Sequence, residues 1–517
     1  MNQPPNFLVF CVDQMQAACL GAAGHPDVQT PNLDRLAGQG TRFRRAYCEN
    51  PVCTPSRVSI LTGLSSRQHG VYTNGSKIPW DVPTVASVLR EAGYRTKSVG
   101  KLHLQPWSDE SSPEWHDGWK LGQVDEIPAG YFGFESCDFV GGHVNYIFGD
   151  YTNWLSREHP ELAEDLTAPE RRASWSYYED EAAHVPESGL TRTWRMDIPP
   201  ELHYNHWIAD RSMDYIRGLP DAERFFLWCS FPDPHHPFAA CKPYSEMYDP
   251  DGIELPERWA EPTTDMPDIP RWAHGITLED WNERGLREML AQTYGMVTHV
   301  DECVGRVMDG LREAGRDDNT VVVFMADHGD YLGAHHLICK GMFPYEELLR
   351  VPYLWSVPDG VAGQEVAAPA SLLDFAPTVL DYAGVPLENL RPRPNHGVRP
   401  EGIAQPWFDG ESLCACLDEG RGPAERPLII TKEENRLFGP KLSRPVRCRT
   451  LVTDRYKLIL FAREGNNCLF DLEEDPREVN NLCDDPGLQE LKCRLLERYS
   501  HAAIWSEYAG RGRIGGP

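Results

Sequence analysis

Asn6-Phe7-Leu8-Val9-Phe10-Cys11-Val12-Asp13-Gln14 is an unbroken apolar run closed by a carboxylate and an amide. A strand covered on both faces reads this way, because neither face needs polar residues. A second run of the same kind, Thr320-Val321-Val322-Val323-Phe324-Met325-Ala326, ends in Asp327-His328-Gly329-Asp330. In parallel α/β sheets, ligands gather at the carboxyl ends of the strands. A lone Asp at such a place more often caps the next segment than binds a cation. Two strands ending alike change that balance, and Asp13, Gln14, Asp327 and His328 are expected to form one divalent site. The pattern predicts an α/β fold built on a large central sheet.

Between the two runs lies Cys53-Thr54-Pro55-Ser56-Arg57, followed by Val58, Ile60 and Leu61 at helical spacing. Proline is accepted only in the first turn of a helix, so Cys53 should stand at a helix N-terminus. Unpaired N–H groups and the helix dipole favour an anion there. Arg57 lies one turn deeper on the same face. One cysteine at a tight turn is ordinarily a buried apolar filler, so other features of the chain must decide.

The stretch Cys-x-Pro-Ser-Arg with Leu61-Thr62-Gly63 resembles the signature of the formylglycine-dependent sulfatases of the alkaline phosphatase superfamily. Further motifs follow in the family's order. Thr30-Pro31-Asn32-Leu33-Asp34 is similar to its first helix. Gly100-Lys101-Leu102-His103-Leu104 is similar to its second motif, and strand alternation would aim Lys101 and His103 the same way. Pro234-His235-His236-Pro237-Phe238 resembles the third, which assigns His235 to the leaving-group side. Cys339-Lys340-Gly341, before Tyr345-Glu346 and Arg350-Val351-Pro352, resembles the last, with Lys340 on the sulfate.

The resemblance implies an alkaline-phosphatase-like mixed sheet flanked by helices, with a small C-terminal α+β subdomain. It implies that Cys53 is oxidised by a formylglycine-generating or equivalent enzyme, and that the hydrated aldehyde attacks sulfur in line. One divalent metal, Arg57, Lys101 and Lys340 would neutralise the transferring group. His235 would favour departure of the alcohol, and His103 would take the proton that lets sulfate leave by elimination. Calcium is the ion the family implies first. Most members, however, carry a second Asp where Gln14 stands, and many carry Asn where His328 stands. The present set is similar to phosphonate monoester hydrolases and choline sulfatases. An imidazole ligand also suits manganese better than calcium.

Composition bounds the partners. The chain has 517 residues and a net charge of −28, which excludes a nucleic-acid-binding surface in bulk. An anionic substrate must meet a local cationic pocket. Fifteen cysteines occur without zinc spacing, several in apolar runs, a usage that fits a reducing compartment. The N-terminal apolar run is too short for a signal peptide and lacks a basic flank, and no stretch is long enough to span a bilayer. A cytoplasmic protein without membrane contact is expected. A homo-oligomer is compatible with the sequence.

Residues 1–395 read as a catalytic domain and 396–517 as a C-terminal subdomain of short antiparallel strands and a terminal helix, after a proline-rich stretch from Pro386. Between about 105 and 200 the α/β rhythm fades. Aromatic residues take over, from Trp107, Trp115 and Trp119 to Trp175, Tyr177, Tyr178 and Trp194. That insertion is either a specificity region for a sugar or aryl group or a satellite core. The function expected is hydrolysis of a sulfate ester of a small molecule or saccharide. The alternatives are a phosphonate monoester or phosphodiester hydrolase with the same nucleophile, a non-catalytic binder of sulfated glycans, and an alkaline-phosphatase-like fold with two-zinc chemistry.

Overall fold

A computed structural model of the chain describes residues 4–166, 193, 195–257, 259–260, 276–277, 282–387, 408–434, 446–462 and 466–505. The main sheet has nine strands: β1 (Asn6–Val12), β2 (Thr41–Phe43), β3 (Arg95–Gly100), β4 (Ser136–Gly141), β5 (Phe148–Gly149), β6 (Phe225–Phe231), β7 (Thr320–Ala326), β8 (Tyr353–Ser356) and β9 (Gln364–Val366). Their order is β9-β2-β8-β7-β1-β6-β3-β4-β5. The five central strands from β7 to β4 run parallel, while β8 and β5 pair antiparallel with their neighbours.

The two apolar runs are adjacent. β1 lies between β7 and β6, with Val12 opposite both Ala326 and Phe231. All seven residues of each of these three strands are buried. Helices cover the faces: α1 (Pro31–Gln39), α2 (Cys53–Thr62), α3 (Tyr204–Gly218) and α4 (Glu283–Glu313). α1 starts where Thr30-Pro31 predicts. The Thr30 hydroxyl does not cap that helix; it accepts from the Gly21 N–H (2.8 Å) and donates to Asp34 Oδ1 (3.0 Å). The periodicity predicts α4 over Glu288–Leu311. The helix is longer at both ends; it starts earlier because Asn282 caps it, accepting from the Gly285 N–H (2.8 Å).

β4 and β5 arise inside the aromatic-rich stretch 105–200 and extend the main sheet by parallel pairing of β4 on β3. Trp107, Trp119, Tyr131, Phe132, Phe134 and Tyr151 pack in or against the main core. Trp175, Tyr177, Tyr178 and Trp194 lie outside the described residues, as does most of the proline-rich stretch after Pro386.

After it come β10 (Leu428–Glu434), β11 (Val446–Val452), β12 (Tyr456–Phe461) and β13 (Cys468–Asp471), an antiparallel sheet in sequence order, and helix α5 (Gln489–Trp505). One face of this sheet (Cys448, Ile459, Phe461, Cys468, Phe470) shares a core with Tyr331, Met342, Phe343, Tyr345 and Leu348. All fifteen cysteines are free thiols. Among the described residues no helix is long and apolar enough to cross a membrane.

Candidate active site

Register decides what meets at the carboxyl edge of the sheet. Val12 pairs with Ala326, so Asp13 and Asp327 leave their strands side by side. The Asp327 N–H donates to Val12 O (3.0 Å), and the Gln14 N–H donates to Asp327 Oδ1 (3.1 Å). Gln14 takes φ 63°, a left-handed turn that moves its side chain off the strand direction. β3 ends one level lower, at Gly100, whose φ is 97°. A Cβ there would run into the Ser230 carbonyl, so only glycine permits the turn that delivers Lys101.

α2 begins at Cys53 after an extended Val52, and all ten of its residues are buried. The helix points its N-terminus at this edge. Cys53 Sγ lies 3.5 Å from Asp13 Oδ1, 3.2 Å from His328 Nε2 and 3.2 Å from Lys340 Nζ. One turn on, Arg57 is wholly buried. Its Nε donates to Asp327 Oδ2 (2.7 Å), and its Nη1 donates to Lys101 O (3.1 Å) and Ser230 Oγ (2.9 Å). Ser56 Oγ donates to Asp327 O (2.5 Å). The signature thus holds the second strand end as well as presenting the thiol.

Lys101 Nζ forms an ion pair with Asp13 and stands 3.2 Å from His143 Nε2. Lys340 Nζ donates to Gln14 Oε1 (3.0 Å) and stands 3.0 Å from His235 Nε2. Asp13, Cys53, Asp327 and His328 each offer a ligand atom within 4.8 Å of the others, and all four are buried. Two carboxylates and an imidazole suit a divalent ion. The Gln14 amide is otherwise engaged, donating to Asp330 Oδ2 (2.6 Å) and meeting His236 Nδ1 (3.0 Å).

His103 is reached differently from the alternation expected of a strand. β3 has ended, and His103 sits at φ 52° with its ring stacked 3.8 Å from Trp107. Lys101 Nζ lies over the same indole at 5.2 Å, so Trp107 joins the two side chains. His103 Nδ1 is buried without a hydrogen-bond partner among the described residues.

The charges explain the titration directions. Burial raises the Asp13 carboxyl, but Lys101, His143, Arg57 and Lys340 outweigh it and hold it well below the usual range. Burial and Asp13 push the Cys53 thiol up; Lys340, Lys101 and His328 reverse this and leave it lowered. Burial would lower His328, yet Asp327 and Cys53 bring it out raised. His103, His143 and His235 are driven well below the ordinary histidine value by burial and neighbouring positive groups, so all three are neutral bases.

Two contributors escaped the sequence reading. His143 follows β4 and stacks face to face on His235, with ring centres 3.6 Å apart. Its signal, a His just past an apolar strand end, was the one used for Asp13, but it lay in the stretch read as an insertion. Asp330 accepts from the Gln14 amide and from the N–H groups of Leu332 (2.9 Å) and Cys339 (2.7 Å), setting the loop that carries Lys340.

The chain matches the sulfatase family over residues 5–385 and the C-terminal model of N-sulphoglucosamine sulphohydrolase over 439–503. It is 29% identical to an arylsulfatase of Clostridium perfringens, covering 98% of this chain and 95% of that one. It is 30% identical to an uncharacterized sulfatase, YidJ, of Escherichia coli K12, covering 95% and 85%. The fold is shared with the phosphonate monoester hydrolase of Agrobacterium radiobacter, at a TM-score of 0.76 and 23% identity over 97% and 96% of the chains. With its strand ends, its buried Cys-x-Pro-Ser-Arg helix and a family match spanning most of its length, the chain belongs to the sulfatases, sulfuric ester hydrolases of the alkaline phosphatase superfamily.

Proposed function

We propose that this enzyme hydrolyses a sulfate ester of a saccharide or small alcohol, with Cys53 as formylglycine and one divalent metal beside it. The observation that carries the reading is the meeting of Cys53 Sγ with Asp13, His328 and Lys340 within 3.5 Å in a buried site. The sulfur of the unmodified thiol stands in for the aldehyde-derived oxygen. The modified residue supplies a nucleophile that can be regenerated, and the metal supplies positive charge against the sulfate.

The other side chains have separate duties. Asp13, Asp327 and His328 would hold the metal, with Gln14 at the margin of the set. Calcium is the family's ion, and the imidazole argues for testing manganese beside it. Arg57 keeps Asp327 in place and adds positive charge. Lys101 and Lys340 neutralise the transferring group, a preorganised electrostatic contribution that is usually the largest. His235, 3.0 Å from Lys340, serves the departing alcohol, and neutral His103 accepts a proton. Activity depends on a maturing enzyme that oxidises Cys53. The catalytic unit is 1–395, with 396–517 as an accessory subdomain.

A second reading has one specific observation behind it: the Gln14 and His328 pair, which resembles that of phosphonate monoester hydrolases. The deciding experiment uses protein whose Cys53 conversion has been verified by peptide mass. Matched aryl sulfate and aryl phosphonate esters are assayed side by side with calcium and with manganese. Higher kcat/KM on the sulfate is expected. A faster phosphonate reaction would transfer the assignment to the second reading.

A further inference from the structure

A second cluster of metal-binding side chains lies between α3 and α4, on elements that supply none of the groups around Cys53. His299 and Cys303 are four residues apart on α4 and so project from one face. His206, on the facing helix α3, completes a triad whose ligand atoms lie within 4.8 Å of one another. His299 and Cys303 are almost wholly buried, and the rings of His206 and His299 are 5.0 Å apart. The Nε2 atoms of both rings have no hydrogen-bond partner among the described residues. Such a pair of buried polar atoms is costly unless something else satisfies it.

One carboxylate borders the triad without belonging to it. Glu302 Oε1 lies 3.7 Å from His206 Nε2, and a rotation of that side chain would bring it in as fourth ligand. That carboxylate is half exposed and gives the site a way in from solvent. On the inner side, His299 Nδ1 meets Cys241 Sγ at 3.7 Å, and the ring stacks on Tyr244, whose hydroxyl donates to Glu302 (2.6 Å). Those contacts orient the first ligands from behind, as in known metal sites. The neighbouring guanidinium of Arg306 is compensated by Asp210 at 2.7 Å.

We propose that His206, His299 and Cys303, with Glu302, bind a divalent transition ion of the zinc class, tying α3 to α4. Nitrogen and sulfur donors together select such an ion over calcium or magnesium. Zinc bonds of about 2.0 Å to nitrogen and 2.3 Å to sulfur require the donors to close by up to ~1 Å, a side-chain adjustment. Binding converts the Cys303 thiol to a bound thiolate and releases its proton to solvent. The ion would fix the start of α3, where the Tyr204 hydroxyl and the Asn205 amide (2.8 Å) both donate to the Asp233 carboxylate, at the head of the His235 loop.

Zinc alone is the probe, on the full chain stripped with a chelator and then dialysed against the metal. All variants are made in a Cys53→Ala, Cys339→Ala background, so that neither thiol of the groups near the sheet edge can contribute. The parent is expected to hold one more zinc per chain than either His206→Gln or Cys303→Ala, and Asp13→Asn is expected to keep that equivalent. Cobalt loading should give a thiolate-to-cobalt absorption in the parent that is absent in Cys303→Ala. His206→Gln lies at the edge of the core, and its metal-free melting curve reports whether it folds. Equal zinc counts in the parent and a folded His206→Gln, or no thiolate absorption, would overturn the proposal.

Discussion

Lys340 Nζ stands 3.2 Å from Cys53 Sγ although 287 residues separate them in sequence, and the same ammonium reaches His235 Nε2 at 3.0 Å. One cation therefore touches both the proposed nucleophile and the group proposed for the leaving side. Replacing Lys340 by Met should lower kcat on an aryl sulfate by about 10²- to 10³-fold, the usual effect of losing one donor to a developing anion. Single-turnover kinetics on verified formylglycine protein would measure it; an unchanged kcat removes Lys340 from the chemistry.

Arg57 is expected to act on stability as well as rate. It is fully buried against Asp327, and removing it takes away that carboxylate's buried ion-pair partner. Arg57→Met should cost about 3–5 kcal/mol in urea unfolding. Loss of rate without loss of stability would mean that Asp327 had found another partner.

His143 should prove a positioning residue. Its ring supports His235 from one side and meets Lys101 from another. His143→Ala is expected to reduce kcat about 10- to 100-fold, as loss of an outer-shell partner does. KM should stay nearly constant, and His143→Phe should recover part of the loss by restoring the stack. If Phe behaves no better than Ala, the stacking contact is irrelevant.

Glu49 supplies a pH signature. Burial pushes its carboxyl from 4.5 up to about 7, against hydrogen bonds from Ser66 and Ser59. The folded state therefore binds a proton that the unfolded state has released. The resulting stability is fully present below pH 4.5 and is lost as pH rises through about 7. The term amounts to ~3 kcal/mol. Thermal melts of wild type and Glu49→Gln from pH 4.5 to 8 should diverge upward in favour of Gln; parallel curves would show that the carboxylate stays ionised.

Much of this was legible because local chemistry and global fold agree. β1 and β7 have the bounds their apolar runs predict, since strands buried on both faces need no alternation. Pro55 placed Cys53 at a helix start. His103 was less legible: its φ of 52° and its stack on Trp107 depend on where the chain turns after β3, which alternation cannot register. His143 was missed because β4, broken by Ser136 and Asp138, lies in the stretch read as an insertion. Asp330 was visible as a residue but not as the group that shapes the Lys340 loop, a role set by its bonds from the Leu332 and Cys339 N–H groups and by one from the side chain of Gln14, distant in sequence.

Lys457 offers a last test. Wholly buried, it lies 3.1 Å from Glu346 Oε1 and 2.7 Å from Glu478 Oε1. Lys457→Met strands two carboxylates and should destabilise the protein by about 3–5 kcal/mol. The melting temperature would report it, and an unshifted one would mean that the carboxylates take up protons instead.

The shared core between the C-terminal sheet and the Lys340 loop has a consequence for biosynthesis. Phe343 and Tyr345 rest against Phe461 and Phe470, residues translated more than a hundred codons later. A nascent chain can bring Cys53, Asp13 and Asp327 together while its last strands are still inside the ribosome. The loop that carries Lys340 then still lacks the C-terminal part of its packing. Proteolytic removal of the small sheet is therefore expected to lower activity even where the Cys53 helix stays intact.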